Sequence, residues 1–207
     1  MDAARFRKRP VFGILRGIAP DILEPLLETL LAAGLDTVEI TMNTPDAAGL
    51  IRRAAAFAPK RLTVGAGTVL DAKNYQTARD AGASFIVMPT LEADVMARCV
   101  QDGVPAFPGA LTPTEIYRAW RAGATMVKVF PSDVFGPAYF KALKGPFRDV
   151  ELLACGGVTP ENIKEYFAAG AAAVSFGAGI FRKEWLARGD FKSIGEALRR
   201  FLAALPG

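Results

Sequence analysis

The chain contains no histidine among its 207 residues. That absence removes Ser–His and Cys–His nucleophile pairs and the usual imidazole-ligated zinc site. Acid–base work then falls to carboxylates, lysine, tyrosine or bound water. Cysteine is scarce too. Cys99 and Cys155 are the only two; they make no disulfide framework and fit a reducing compartment. Cys99 lies in a helical pattern and reads as a small core residue. No stretch reaches the roughly 18 uninterrupted apolar residues that span a bilayer. The basic segment from Met1 to Pro10 lacks the apolar centre of a signal peptide. A soluble, cytoplasmic protein with no membrane partner is therefore expected. Neither sign of charge dominates: 25 Lys and Arg against 21 Asp and Glu leave +4. The basic residues form no long stripe, so no nucleic-acid partner is expected. A mild positive balance does help capture a small anion.

What the chain has is repetition. Apolar runs span Val11 to Gly17, Thr37 to Met42, Leu62 to Thr68, Phe85 to Thr90, Pro105 to Leu111, Met126 to Phe130, Glu151 to Gly157 and Ala173 to Gly179. Amphipathic segments lie between them, as at Asp21–Ala33, Glu92–Gln101, Pro113–Arg121, Pro160–Ala169 and Phe191–Leu205. Their apolar residues recur at three and four spacing. Pro and acidic residues mark their starts, and Gly34, Gly82, Gly103, Gly123 and Gly170 mark their ends. Eight strand–helix units without a compositional break imply one α/β domain over residues 1–207, a closed (β/α)8 barrel. An open sheet of six or seven strands explains the count less well, and the first strand carries no dinucleotide fingerprint. The first ten residues read as a short N-terminal cap.

Two charges sit where apolar strands should be. Lys128 lies within Met126-Val127-Lys128-Val129-Phe130, and Glu39 within Thr37-Val38-Glu39-Ile40-Thr41. An ammonium stripped of water favours its neutral form, which is a nucleophile toward carbonyl carbon. Inward side chains alternate along barrel strands. Alternation turns Thr37, Glu39 and Thr41 inward on the second strand, and Met126, Lys128 and Phe130 on the sixth. Arg16 ends the first strand and Thr68 the third. All four polar groups then lie toward the C-terminal face, where such barrels carry their sites. The plain alternatives are a buried Lys–Glu salt bridge, an arginine at a helix end and a strand-end hydroxyl on backbone. The last two strands run into Cys155-Gly156-Gly157-Val158 and Gly177-Ala178-Gly179. Paired glycine loops there suit a phosphate, because their amides can curl around an anion.

Several motifs taken together resemble the 2-keto-3-deoxy-6-phosphogluconate (KDPG) aldolase family. They include Ile14-Leu15-Arg16-Gly17, Val38-Glu39-Ile40-Thr41, Gly65-Ala66-Gly67-Thr68, Val87-Met88-Pro89, Pro108-Gly109, Thr112-Pro113-Thr114-Glu115, Val127-Lys128-Val129-Phe130-Pro131 and Gly156-Gly157-Val158. The resemblance runs from about Val11 to the C-terminus. It implies a Schiff-base aldolase without metal or organic cofactor, acting on a small phosphorylated keto acid and assembled as a homotrimer. It also implies roles. Lys128 matches the imine-forming lysine, Glu39 the acid/base, and Thr68 a carboxylate contact. Pro89 and Phe130 match walls of the pyruvyl pocket, and Gly156 and Gly157 the phosphate glycines.

Three positions depart from the pattern. Asn43 stands where many gluconate-type members have arginine, so Arg16 is expected to supply that charge. Gly179 replaces a phosphate-binding serine, leaving the backbone of Gly177, Ala178 and Gly179 to hold the anion. Cys155 stands where gluconate-type members carry threonine and galactonate-type members resemble valine. Asn43 and Cys155 lean toward the galactonate epimer or relaxed stereospecificity. The alternatives are a phosphosugar isomerase or epimerase on the same barrel and a non-catalytic anion-binding protein.

Overall fold

The computed structural model describes residues 1–206 of the chain. Strands β1 (Val11–Leu15), β2 (Thr37–Thr41), β3 (Thr63–Gly67), β4 (Ile86–Val87), β5 (Ala106–Phe107), β6 (Gly109–Ala110), β7 (Val127–Val129), β8 (Leu152–Cys155) and β9 (Ala171–Phe176) form one parallel sheet. Their spatial order is β5-β4-β3-β2-β1-β9-β8-β7-β6. The two ends of that order, β5 and β6, are consecutive pieces of chain around Pro108. The sheet is therefore an eight-staved barrel whose fifth stave is broken.

Pro108 explains the break. It has no N–H to give the ladder, but its carbonyl accepts the Lys128 N–H at 2.9 Å. Phe107 bonds on the other side, its carbonyl accepting from Met88 at 3.1 Å. In ladder register the stave pairs with β4 below the proline and with β7 above it, while the Ala106 carbonyl also accepts the Thr125 N–H on the β7 side at 2.8 Å. Gly109 next to it cannot carry a side chain, because a Cβ would run into the Pro89 carbonyl. The sequence reads Pro105 to Leu111 as a single strand; the structure divides it at the residue that cannot donate.

Alternation separates two cores. Outward residues such as Val38, Ile40, Val64, Val127, Val129, Leu152 and Val174 pack against Leu23, Leu26, Leu30, Leu50 and Ile51 of the surrounding helices. Inward residues Phe12, Phe85, Phe107, Met126 and Leu153 form a second cluster with Phe6. Phe6 comes from the helix Ala3–Lys8, which Asp2 caps. Its ring lies 6.2 Å from Phe12 and 5.8 Å from Phe107. The N-terminal cap expected from the sequence is therefore a plug: its aromatic side chain closes the lower mouth of the barrel. With the lower half filled by rings, the inward polar groups are confined to the upper half.

Helix boundaries follow local chemistry. The helix Pro113–Arg121 has the predicted limits, fixed by a capping box. The helix predicted to start at Pro160 starts at Ile163. Asn162 accepts the Thr159 N–H and donates to the Gly157 carbonyl, both at 2.8 Å. The three residues before it are held in a turn. Among the described residues no helix is long and apolar enough to cross a membrane.

Candidate active site

Glu39 and Lys128 both reach into the barrel and are nearly sealed from solvent, at 1% and 6% exposure. They do not pair. The four ion pairs among the described residues are at the surface and join Arg5 to Asp36, Arg7 to Glu151, Arg53 to Glu24, and Arg200 to Glu161. The buried-salt-bridge alternative is thereby removed. Glu39 Oε2 has no hydrogen-bond partner among the described residues. Burial pushes the Glu39 carboxyl up to about 7, although the fields of Lys128 and Arg16 pull it down. Its space is made by Gly67 on the neighbouring strand, where a Cβ would fall 2.5 Å from Glu39 Oε1. The Lys128 Nζ stands 4.9 Å from the centroid of the Phe130 ring. That face stabilises a cation, whether ammonium or iminium.

At the rim, Arg16 Nη2 donates to Thr68 Oγ1 at 3.4 Å. Thr68 adopts φ +55°, a left-handed conformation that a β-branched residue rarely accepts. Strain of that kind is retained where the surroundings over-determine it, and it gathers at ligand sites. Arg16 is exposed, but its loop is anchored. The Gly17 N–H donates to Thr44 Oγ1 at 3.0 Å, and Thr44 shares a 2.9 Å hydrogen bond with Thr41. Both threonines are buried. This threonine chain ties Arg16 to the strand that carries Glu39. Pro89 lies half-buried at the end of β4, and Phe130 is 39% exposed at the mouth.

Cys155 faces inward beside Lys128. Burial raises its thiol, Lys128 opposes the rise, and a raised thiol is poorly nucleophilic. Gly156 and Gly157 both have positive φ, +99° and +69°. Their carbonyls are occupied, by Ser132 Oγ at 2.7 Å and by Asn162. Their amides donate to nothing among the described residues, and the same holds for Gly177, Ala178 and Gly179. A Cβ on Gly179 would meet nothing within 4 Å, so a serine there would be free to turn toward a ligand.

The structure thus gathers Lys128, Glu39, Arg16, Thr68, Pro89, Phe130, Cys155 and both glycine loops at one end of the barrel. Sequence reasoning missed Thr44, Asp133 and Ser175. Ser175 is 1% exposed and pairs in register with Cys155, whose thiol lies beside the Ser175 hydroxyl. Inward alternation on the last strand was the available signal. No group of three His, Cys, Asp or Glu side chains is arranged to hold a metal among the described residues.

A family model described as KDPG and KHG aldolase matches residues 3–197. The chain belongs to that family. It is an aldolase, a carbon–carbon lyase. Two curated relatives are each 38% identical to it. One is the 2-dehydro-3-deoxy-6-phosphogalactonate aldolase of Escherichia coli, aligned over 84% of this chain and 86% of its own. The other is the 2-dehydro-3-deoxy-phosphogluconate aldolase of Pseudomonas aeruginosa, over 87% and 84%. A crystal structure of KDPG aldolase from Legionella pneumophila, with pyruvate captured as a covalent carbinolamine, superposes with a TM-score of 0.88. It is 26% identical and covers 96% of this chain and 97% of its own. Equal identity to gluconate and galactonate aldolases leaves the epimer to the site residues.

Proposed function

We propose that this aldolase cleaves a 2-keto-3-deoxy-6-phospho sugar acid, gluconate or galactonate epimer, to pyruvate and glyceraldehyde 3-phosphate through an imine on Lys128. The observation that carries the reading is a buried amine and a buried carboxyl, near enough for the charge of Lys128 to act on Glu39 yet not joined in an ion pair. The Lys128 amine adds to the C2 ketone, and loss of water from the carbinolamine gives a protonated imine. Glu39 takes the C4 hydroxyl proton, directly or through water, as the C3–C4 bond breaks and its electrons enter the imine. Protonation of the resulting enamine at C3 and hydrolysis release pyruvate and restore the amine.

Arg16 and Thr68 fit the substrate carboxylate, and the free amides of the two glycine loops fit the distal phosphate. Fixing both ends aligns the bond that breaks. Pro89 and Phe130 wall the pyruvyl end. Cys155 lies between threonine and valine in character and favours the galactonate epimer or loose stereospecificity. The same chemistry extends to 4-hydroxy-2-oxoglutarate, giving pyruvate and glyoxylate. We further propose a cytoplasmic homotrimer. The exposed side chains of Val134 and Phe135 beside the site mouth are apolar surface that a second copy can cover.

Release of pyruvate from each phosphorylated epimer tests the reading directly. Pyruvate formation from at least one epimer is expected. Exchange of a sugar hydrogen with solvent and no pyruvate would instead identify an isomerase. Exchange of epimer preference between wild type and Cys155→Val tests the role of Cys155.

A further inference from the structure

The Gly156–Gly157 turn has a carboxylate against it. Asp133 lies in the short 3-10 turn Ser132–Val134 that follows the Lys128 strand. A Cβ built on Gly156 would fall 3.4 Å from Asp133 Oδ1, and one on Gly157 3.2 Å from Asp133 Oδ2. Ser132, one residue earlier, holds the Gly156 carbonyl at 2.7 Å, so the two loops are locked together and Asp133 cannot be far from the cradle. Asp133 is exposed, and no ion pair among the described residues neutralises it. The cradle itself offers backbone amides and small side chains.

A carboxylate accepts hydrogen bonds and donates none. It repels a phosphate dianion, and it welcomes the hydroxyls of an uncharged polyol or hydroxy-acid tail. We infer that Asp133 is a specificity-determining residue at the distal end of the substrate, working against a phosphate and in favour of an uncharged, hydroxyl-bearing tail. The inference rests on the glycine loops being the distal cradle. Asp133 weakens phosphate selection there without abolishing it, because an exposed charge a few ångströms away acts through water and salt.

The test compares condensation of pyruvate with D-glyceraldehyde 3-phosphate and with D-glyceraldehyde, in wild type, Asp133→Asn and Asp133→Ser. The readout is the quotient of the two kcat/KM values, which a general loss of activity does not move. Either variant should raise the quotient in favour of the phosphorylated aldehyde by about tenfold at low ionic strength, and the gain should shrink as salt screens the charge. A quotient unchanged within about twofold in both variants, or shifted toward the unphosphorylated aldehyde, overturns the inference. Borohydride trapping of pyruvate by the wild-type protein separates the two readings. If pyruvate is trapped and the quotient stays fixed, Asp133 alone is misassigned; if no pyruvate is trapped, the aldolase site is.

Discussion

Glu39 is the residue whose environment costs most and does most. Its carboxyl rises from 4.5 to about 7 on folding because it is buried. The sign of the linkage follows from proton binding: between these values the folded chain holds a proton that the unfolded chain has released. Stability from this residue is therefore lost as pH rises from about 4.5 to 7. The gap, at about 1.4 kcal/mol per pH unit, is on the order of 3 kcal/mol. Glu39→Gln should be more stable than wild type at about pH 8, and the difference should vanish near pH 4, as read by urea unfolding. The same variant should lose on the order of 100-fold or more in kcat, since it keeps the shape and deletes the base. Wild-type cleavage should fall as pH drops through about 7, where Glu39 gains its proton. Thr44 acts at one remove. Thr44→Val should raise KM through a loosened Arg16 with kcat little changed, and Thr44→Ser should restore it. An equal fall in kcat and kcat/KM would assign Thr44 to something other than ground-state carboxylate binding. Glu39 and Lys128 were legible because a charge in an apolar run has no bland explanation. Thr44, Ser175 and Asp133 were not, because short polar residues are ordinary until the fold brings them beside the other polar groups of the site.

At the scale of elements, the plug and the broken stave set where the chemistry is. The helix Ala3–Lys8 contributes a single buried side chain, Phe6. Phe6→Ala should destabilise the fold by about 3–4 kcal/mol through the lost ring and the cavity beneath the barrel. Activity measured below the melting transition should survive, because the plug lies at the mouth opposite the site. Strand pairing also explains why Gly67 is small. Gly67→Ala would place a methyl group against the Glu39 carboxyl, so a fall in kcat with an intact fold is expected, and an unaffected kcat would mean that Glu39 can move away. The strands were readable from their spacing and alternation. The division at Pro108 was not, because it depends on which neighbour each half pairs with. The late start at Ile163 was hidden for a similar reason: Asn162 looks like a helix residue until its side chain is seen closing a turn.

Over the whole molecule, an eight-staved barrel with aromatic residues below and polar residues above brings groups far apart in sequence to one end. Arg16, Thr68 and the glycines at 156–157 and 177–179 follow the ends of four staves, and Glu39 and Lys128 reach in from the middle of two others. That convergence was legible in the sequence because strand register and alternation translate position into depth. The Arg16–Thr68 contact and the approach of Asp133 to the glycine turn were not legible, since they depend on loops that fold over one another. Assembly belongs to this scale too. A chain of 22.1 kDa assembled in threes should run near 66 kDa (3 × 22.1) by light scattering, and a monomer mass would remove the proposed trimer without touching the chemistry.

The central claim is that Lys128 forms an imine with a keto acid. Incubation with pyruvate and borohydride, followed by intact-mass and peptide analysis, tests it most directly. The account predicts one reduced pyruvyl adduct per chain, located on Lys128 and absent from Lys128→Ala. A folded protein that binds pyruvate yet forms no adduct, or forms it on another lysine, would contradict it.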